Sequence, residues 1–429
     1  MAEHAHLAQN SSILKTASVV HELLHDYHPR DFAIEFWDGT RLEPERGTFC
    51  RFTWHIKSPD VLRAAARSDR EVALGEAYIY DDFDISGDIL AIFPVAQYLA
   101  TKHFGAGTKF RLGSLLLTLP HEAHTADSLP HLHGRVHSKA RDREAVKSHY
   151  DLSNDFYQLW LDQAMVYSCA YFRSASDTID HAQRQKLEYV CRKLRLRAGE
   201  RLLDFGCGWG GLILHAAREY GVKATGITLS EQQRALAQER ISQAGLSNRC
   251  EVRLLDYRDA AQLGEFDKVV SVGMVEHVGE SNLPEYFRAA YQLLKPGGVF
   301  LNHGIARAGN RLQSVEPTFT DVYVFPDGEL VPISETLRHA ENSGFEVRDV
   351  EDLREHYFLT LCQWLRRLEA RADEARKMIG DVKYRTWRLY LAGSAYYFQT
   401  GKLCLYQSLL TKNEDGQSRL PLTREDWYR

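Results

Sequence analysis

The chain has 429 residues, of which 44% are hydrophobic and 26% are charged, and its formal net charge is −5. This composition is typical of a folded protein of two or three domains and excludes an intrinsically disordered chain. The near balance of acidic and basic residues argues against wholesale binding of nucleic acid, which usually requires a strongly basic domain.

The cysteines and the apolar stretches bear on the cellular compartment. The seven cysteines are scattered and form no Cys-x-x-Cys pair, so neither a disulfide framework nor a cysteine-based zinc site is expected, and a reducing cytoplasm is the expected location. The N-terminal residues lack the apolar core of a signal peptide. The longest apolar stretch, Ile89–Ala100, is interrupted by Pro94 and Gln97 and is shorter than the roughly 20 residues that span a bilayer. We therefore expect any contact with lipid to be made from the membrane surface.

Residues 1–120 are predicted to form a smaller α+β domain. Phe32–Phe36 and Arg51–Ile56 alternate as strands do, and Pro59–Arg67 has the pattern of a short helix. This region contains no recognisable catalytic constellation.

A histidine-rich segment, residues 121–145, is predicted to be a linker. Its five histidines are His121, His124, His131, His133 and His137. A metal site is one interpretation, but no carboxylate or cysteine stands at ligand spacing on a predicted element, so a solvated loop is favoured and no metal is predicted.

Residues 146–429 are predicted to form the catalytic domain. Short apolar runs predict strands at Arg201–Phe205, Lys223–Thr228, Cys250–Leu255, Asp267–Val272 and Gly298–His303. Helical patterns separate them at Gly210–Tyr220, Glu231–Ala244 and Pro284–Leu294. This alternation predicts an α/β fold with a doubly wound, mostly parallel sheet.

A glycine-rich turn follows the first of these strands, in the segment Leu202–Gly211. The spacing of the dinucleotide-binding pattern G-x-G-x-x-G is met by Gly206, Gly208 and Gly211. Two features argue against a nicotinamide dinucleotide: Asp204 lies inside the end of the strand, and the second strand ends in Gly226–Thr228, without the acid that would hold a ribose. A carboxylate before the turn suits S-adenosylmethionine, whose methionine end carries an ammonium group. A tight turn without a ligand is the alternative.

Several further segments together resemble one family, the cyclopropane fatty acyl phospholipid synthases and their mycolic-acid-modifying relatives. The matching segments are HYDLSNDFYQLWLD (149–162), MVYSCAYF (165–172), LLDFGCGWGG (202–211), GITLSEQQ (226–233), VGMVEHVG (272–279), LKPGG (294–298), HGIA (303–306), FPDGELVP (325–332) and HYFLTLCQW (356–364). The glycine-rich turn and LKPGG are general to methyltransferases, whereas YSCAYF, EHVG and HYxxTLxxW are more specific. The first 120 residues match only loosely.

The resemblance implies an enzyme that transfers a methylene group from S-adenosylmethionine to the cis double bond of unsaturated phospholipid acyl chains, with bound bicarbonate as the base. The positions that it assigns to bicarbonate are Cys169, Glu276, His303, Ile305 and Tyr357, with Cys169 and Ile305 contributing mainly backbone. For the cofactor it assigns Tyr167 and Ser168 to the amino-acid end, Gly206 and Gly208 to the methionine part, Thr228 and Gln233 to the ribose, and Tyr257 to adenine. Together with Asp204 these residues make up the predicted cofactor site.

This chemistry places the base after methyl transfer. An alkene has no proton to remove beforehand, whereas ring closure requires a proton to leave the new methyl group. We expect Glu276 to accept the bicarbonate hydroxyl proton. For His277 we favour a buried, hydrogen-bonded histidine that supports Glu276, with a second base as the alternative. A nucleophilic role for Cys169 is the rival interpretation, disfavoured because no covalent intermediate is needed.

Other functions remain open at this point. A methylene- or methyl-branched fatty acyl product requires the same first step, and a small-molecule N-methyltransferase is a more distant alternative. A non-catalytic lipid-binding protein belongs to a different class and predicts no turnover. The fourth strand lacks the Asn/Asp-Pro-Pro-aromatic tetrad of nucleic-acid amino-methyltransferases, so no nucleic-acid partner is expected.

Basic segments suggest how the protein would meet a membrane. One candidate cluster is Arg184, Lys186, Arg192, Lys193, Arg195 and Arg197, and a second is Trp364–Arg367 with Arg371, Arg376 and Lys377. Such a cluster could contact anionic headgroups, although a helix packed under the sheet explains the first cluster equally well. The C-terminal aromatic residues Tyr384, Trp387, Tyr390, Tyr396, Tyr397 and Phe398 are expected in a core. By analogy with the family, we expect a homodimer that is peripherally associated with the inner face of the cell membrane.

Overall fold

The structure is a computed structural model that describes residues 2–67, 69–102, 105–118, 135–150, 152–309 and 317–428. The chain divides into two compact units. The first comprises residues 1–129, 314–324 and 380–396, and the second comprises residues 130–313, 325–379 and 397–429.

The elements are numbered in chain order within the described residues. The strands are β1 (Phe32–Phe36), β2 (Arg41–Leu42), β3 (Phe52–Ile56), β4 (Phe83–Gly87), β5 (Arg201–Phe205), β6 (Lys223–Thr228), β7 (Cys250–Leu254), β8 (Phe266–Val272), β9 (Leu294–Arg307), β10 (Glu346–Asp352) and β11 (Leu403–Thr411). The helices are α1 (Ala2–Leu24), α2 (Asp60–Ala66), α3 (Arg70–Ile79), α4 (Ile92–Thr101), α5 (Ala106–Leu117), α6 (Lys139–Tyr150), α7 (Asn154–Gln158), α8 (Ile179–Leu194), α9 (Gly211–Tyr220), α10 (Glu231–Gln243), α11 (Leu283–Leu293), α12 (Phe319–Tyr323), α13 (Ile333–Asn342), α14 (Arg354–Ala370), α15 (Ala372–Ile379) and α16 (Asp381–Gln399).

The first unit is built on a mixed sheet in the order β2-β1-β3-β4, in which β1 and β3 are parallel. The guanidinium group of Arg385 on α16 is buried and donates hydrogen bonds to the backbone oxygens of Tyr78 (2.6 Å) and Phe83 (2.7 Å). On α12, Phe319 packs so closely against α3 that a Cβ atom at Gly75 would lie 2.2 Å from its ring. These contacts explain why 314–324 and 380–396, which the sequence assigns to the later domain, group with the first unit. The domain boundaries at 120 and 145 stay predictions.

The second unit contains the sheet that carries the site. Its strand order is β10-β11-β9-β8-β5-β6-β7. The five strands from β9 to β7 are parallel to one another, whereas β11 is antiparallel to both of its neighbours, β9 and β10. Successive side chains of β5 point to opposite faces. Leu202 belongs to an apolar cluster with Leu194 and Ile213 of α8 and α9, and Leu203 belongs to a second cluster with Phe287 of α11. Helices therefore cover both faces, which confirms the predicted doubly wound α/β fold.

The first basic cluster proves to be mostly buried or paired, so its interpretation as a lipid-facing surface is wrong. Lys186 and Lys193 are 2% and 0% exposed. Arg192 pairs with Glu188 at 2.6 Å, and Arg195 pairs with Asp426. The alternative, a helix packed against the sheet, describes α8 correctly because its apolar stripe needs a partner and the two lysines lie within that stripe.

The remaining surface expectations are met in part. The second basic cluster contains two buried residues, Trp364 and Leu365, and Arg367 pairs with Asp180. The C-terminal aromatic residues Tyr384, Trp387, Tyr390, Tyr396 and Phe398 are buried, which confirms their place in a core, and Tyr397 is half-buried. No helix in the described part of the chain is both long and apolar enough to cross a bilayer.

The histidine-rich linker lies largely outside the described residues, which resume at residue 135. His137 is described, and its ring lies 3.8 Å from Asp142 and 3.6 Å from Glu329. Over the described ranges, no group of three or more His, Cys, Asp or Glu side chains is placed to hold a metal ion.

Candidate active site

A cleft of about 150 Å³ opens beside the carboxyl ends of the parallel strands of the second unit. Its lining includes all eight residues predicted to bind the cofactor: Tyr167, Ser168, Asp204, Gly206, Gly208, Thr228, Gln233 and Tyr257. The carboxyl ends of the strands in an open α/β sheet are the usual place for a ligand. Which group of a cofactor each residue contacts stays a prediction.

The glycine-rich turn forms the floor of the cleft between β5 and α9. Gly206 has a φ of +76°, and a Cβ atom there would lie 3.1 Å from the Cβ and Cγ atoms of Met274. The N–H groups of Gly206 and Cys207 both donate to the carbonyl oxygen of Ile227, at 3.0 and 2.9 Å. A side chain at position 206 would therefore be strained and crowded.

Asp204 has the properties expected of a carboxyl group that awaits a cationic ligand. It is 3% exposed, and its Oδ1 atom has no hydrogen-bond partner. Burial raises the pKa of this carboxyl to about 7, while the nearby charge of Lys186 works in the opposite direction. A buried polar atom without a partner is costly, so an ammonium group, such as that of S-adenosylmethionine, fits this position.

Hydroxyl, amide and aromatic groups form another part of the cleft lining. Thr228 Oγ1 donates to Oε1 of Gln233 over 2.7 Å, which orients that amide. Tyr257 is buried, with its hydroxyl unpartnered and its ring 5.6 Å from that of Tyr286. Its burial raises the pKa of the phenol above the ordinary value. These residues combine polar groups with the flat face of an aromatic ring, which suits a nucleoside.

Two of the predicted catalytic residues, His303 and Ile305, lie on β9, and a third, Glu276, is held against that strand. Ile305 donates its backbone N–H to Oε1 of Glu276 over 2.7 Å, so this amide holds the carboxyl in place and is not available to an anion while that bond stands. The other carboxyl oxygen, Oε2, is buried without a partner. Burial raises the pKa of Glu276 to about 7.

His303 lies two residues earlier on β9, and it too has one partnered and one unpartnered polar atom. Its Nδ1 atom is 3.0 Å from Nε2 of Gln407 on β11, while its Nε2 atom is buried without a partner. Burial holds the pKa of the imidazole well below its ordinary value, so the ring is neutral. Because the amide nitrogen is the donor, Nδ1 accepts and Nε2 carries the proton.

Cys169 and Tyr357 are connected to Ile305 through the backbones of Leu405 and Leu353. Ile305 is paired with Leu405 in the antiparallel β9–β11 ladder, and the oxygen of Leu405 accepts the N–H of Leu353 over 2.7 Å. The oxygen of Leu353 in turn accepts the N–H of Tyr357 (3.1 Å) and the thiol of Cys169 (3.9 Å). Burial raises the pKa of that thiol far above its ordinary value, which disfavours a nucleophilic role because the thiolate is the nucleophile.

The expectation for His277 is wrong in one respect. No hydrogen bond joins its side chain to Glu276; the imidazole lines the cleft and packs against Phe325, with the ring centroids 5.5 Å apart. Burial, reinforced by the charge of His137, lowers the pKa of His277 to about 4. The backbone of Ile305 holds Glu276 instead, because β9 runs directly past the carboxyl.

Three residues of this region were not predicted as part of the site: Lys186, Met274 and Gln407. A signal for Lys186 was present, because a lysine that falls three or four residues from apolar helix positions lies on a buried face. Gln407 could not be found in this way, since its contact depends on the pairing of β11 with β9.

Comparison with known proteins assigns the chain to a family. A family model described as mycolic acid cyclopropane synthetase matches residues 137–408. A probable fatty acid methyltransferase of Pseudomonas putida is 42% identical over 400 residues, which cover 92% of this chain and 96% of that protein. The cyclopropane-fatty-acyl-phospholipid synthase of Escherichia coli K12 is 33% identical over 368 residues, covering 85% and 89%.

A solved structure supports the same assignment. The mycolic acid cyclopropane synthase CmaA1, complexed with SAH and CTAB, matches with a TM-score of 0.59 and 32% identity, covering 62% of this chain and 97% of that one. Family, relatives and cleft agree with one another. The chain belongs to the mycolic acid cyclopropane synthetase family and is an S-adenosylmethionine-dependent methyltransferase of the fatty acyl type.

Proposed function

We propose that this protein adds the methyl carbon of S-adenosylmethionine to the cis double bond of an unsaturated phospholipid acyl chain and closes a cyclopropane ring, with bicarbonate as the base. The observation that carries the proposal is the pair of buried, unpartnered atoms in the second unit, Oε2 of Glu276 and Nε2 of His303. Glu276 directly precedes His277, which lines the cofactor cleft. The glutamate oxygen accepts a hydrogen bond, and the histidine nitrogen donates one.

S-adenosylmethionine supplies an electrophilic methyl group on a sulfonium. The protein's own part would be to hold the charged methionine end of the donor through Asp204, which lines the cleft, and to keep water out of the cleft. Exclusion of water matters because the carbocation formed on the acyl chain after methyl transfer would otherwise react with water. The ring of Tyr167, which lines the cleft, offers a face that stabilises positive charge. The buried rings of Trp160 and Trp364 pack against it, with centroids 5.4 and 5.3 Å away.

The bicarbonate proposal is supported by the chemistry of the donor and acceptor atoms. Neutral His303, with its proton on Nε2, donates to an anion, and Glu276 accepts the hydroxyl proton of the same ion. When bound, bicarbonate supplies the base that accepts a proton from the transferred carbon. Cys169 and Tyr357 would complete the site, whereas Ile305 would act through Glu276, whose carboxyl its N–H holds in place.

A second product is favoured by one observation, the similarity to a probable fatty acid methyltransferase. Such an enzyme would methylate the same alkene and leave a methylene- or methyl-branched chain. A small-molecule N-methyltransferase has less support, since neither of the two relatives described above bears such a name.

Product analysis tests the proposal. The protein is incubated with S-adenosylmethionine, bicarbonate and vesicles of monounsaturated phospholipid, and the fatty acids are analysed by mass spectrometry and proton NMR, with Glu276→Ala as the inactive control. We expect a gain of one CH₂ unit together with cyclopropane ring protons. The same mass gain without ring protons would establish the branched product, and no mass gain would contradict both.

We also propose that the protein works as a homodimer, peripherally associated with the cytoplasmic face of the membrane. The support is the membrane location of a phospholipid substrate, which is what the Escherichia coli relative is named for. Sedimentation with anionic vesicles tests the association, and recovery of all the protein in the supernatant would contradict it. Equilibrium ultracentrifugation gives the oligomeric state.

A further inference from the structure

Lys186 is a buried lysine on the wall of the cofactor cleft, and the function proposed above gives it no role. Lys186 is 2% exposed, and it lines the cleft together with Ser168 and Asp204. Helix α8 brings it there because Lys186 lies on the face that also carries the buried residues Ala182 and Tyr189. Lysine is almost never fully buried unless it is paired, so the burial of this ammonium group is unusual.

The hydrogen bonding of this ammonium group is incomplete. Its Nζ atom donates to Oγ of Ser168 over 2.9 Å, and within the described part of the chain it forms no ion pair. By contrast Lys193, seven residues further along α8, pairs with Glu351 and lies 3.6 Å from Asp349. An ammonium group has three N–H donors, and a buried charge without a partner is strongly unfavourable.

Two buried carboxyl groups interact electrostatically with Lys186 without pairing with it directly. Asp162 is already engaged, because its oxygens accept the backbone N–H groups of Ala164 and Val166, both at 2.8 Å. Asp204 has an unpartnered oxygen, as described above. Burial lowers the pKa of Lys186 to about 8, so at neutral pH the group still carries its proton. The cleft thus contains a buried cation and a buried carboxyl group that are not paired with each other.

The methionine end of S-adenosylmethionine carries a carboxylate and an ammonium group on the same carbon atom. We propose that Lys186, together with Ser168, binds that carboxylate while Asp204 binds the ammonium group, so that the cleft recognises both charges of the donor. This inference rests on the proposed function, because it takes S-adenosylmethionine as the ligand. It makes Lys186 a binding residue for the methyl donor.

The competing explanation is structural: Lys186 would only support the packing of α8 behind the wall of the cleft. The two explanations differ in what they predict for a ligand without a carboxylate. Loss of a structural role weakens every ligand of the cleft alike, whereas loss of a carboxylate-binding role weakens only those ligands that have the carboxylate.

A cycle of two ligands and three proteins separates these explanations. Isothermal titration calorimetry on the full-length protein compares S-adenosylhomocysteine with 5′-deoxy-5′-(3-aminopropylthio)adenosine, which keeps the adenosine and the ammonium group but lacks the carboxylate. The proteins are wild type, Lys186→Met and the matched control Lys193→Met, which removes a second buried ammonium from α8 outside the cleft lining. Wild type should bind S-adenosylhomocysteine about 10–100-fold more tightly than the analogue, as a charge-assisted hydrogen bond would give. Lys186→Met should lose that preference, and Lys193→Met should keep it.

Each other outcome overturns the inference. A wild-type protein that binds the two ligands equally well contradicts it, and this measurement needs no variant to fold. Lys186→Met with an unchanged preference, or with equal losses for both ligands, points to the structural role. If S-adenosylhomocysteine binds without a carboxylate preference, the proposed function stands and only this inference fails, whereas no binding at all removes both.

Discussion

Replacing Glu276 by glutamine should stabilise the protein at alkaline pH while abolishing its activity. Glutamine keeps an oxygen that accepts the N–H of Ile305 but cannot ionise. In wild type, burial raises the pKa of the Glu276 carboxyl from 4.5 to about 7. Because the folded-state pKa lies above that of the unfolded chain, the carboxyl's contribution to stability is fully present below pH 4.5 and is lost as the pH rises through 7.

The size of the effect follows from those two pKa values. A difference between 4.5 and about 7 corresponds to about 3 kcal/mol in the free energy of unfolding, at about 1.4 kcal/mol per tenfold change. For a folded unit of this size that amounts to roughly 6 °C in Tm. Glu276→Gln and wild type should therefore have similar Tm values at pH 5, and the variant should be higher by roughly that amount at pH 8.5.

Differential scanning calorimetry in buffers purged of carbon dioxide measures this difference without a bound ion. Glu239→Gln is a suitable control, because Glu239 is exposed on α10 and contacts Gln243, and the variant measures what the same substitution does to Tm at each pH away from the site. A Tm difference for Glu276→Gln that is the same at pH 5 and pH 8.5 would refute the reasoning, since it would mean that the carboxyl ionises in the folded protein as easily as in water.

Three further substitutions test other parts of the site. Gly206→Val should weaken S-adenosylhomocysteine binding at least about tenfold, because φ is +76° and Met274 crowds the new side chain; unchanged affinity in calorimetry would contradict the placement of the donor. Cys169→Ala should keep turnover within about tenfold of wild type, since the buried thiol does not ionise; complete loss of product in a correctly folded variant would restore the nucleophile hypothesis. Gln407→Leu should lower kcat about 10–100-fold by removing the partner of His303 Nδ1. Its affinity for S-adenosylhomocysteine should not change, and a parallel loss of affinity would indicate general damage to the site.

The parallel part of the sheet could be predicted from the sequence because each strand is a local apolar run. Arg201–Phe205 and Lys223–Thr228 form strands with the predicted bounds. The predicted strand at Gly298–His303 is shorter than the observed β9, Leu294–Arg307, because β9 extends along β11. Strands β10 and β11 were not predicted, since β11 pairs with β9 about a hundred positions away and with β10 about sixty positions away, and no local pattern records such distances.

The site was predictable to a similar extent. Motifs at strand ends identify the lining of the cleft, because the ends of parallel strands meet at one edge of a sheet. For the cluster that contains Lys186, the sequence left a lipid-facing surface and a packed helix equally open, because lysine is ordinarily exposed and its burial depends on how α8 packs. The role of Ile305 as the donor to Glu276 depends on where β9 passes, which the sequence does not specify.

The discontinuous first unit has a consequence for the order in which the chain folds during synthesis. Arg385, whose guanidinium group bonds to the backbone oxygens of Tyr78 and Phe83, is translated about three hundred residues after them. At a ribosomal rate of about 5–20 residues per second, the residues of α3 and β4 are synthesised some 15–60 s before Arg385. The N-terminal segment must therefore spend that interval incompletely packed, so the first unit is completed only after most of the second unit has been translated.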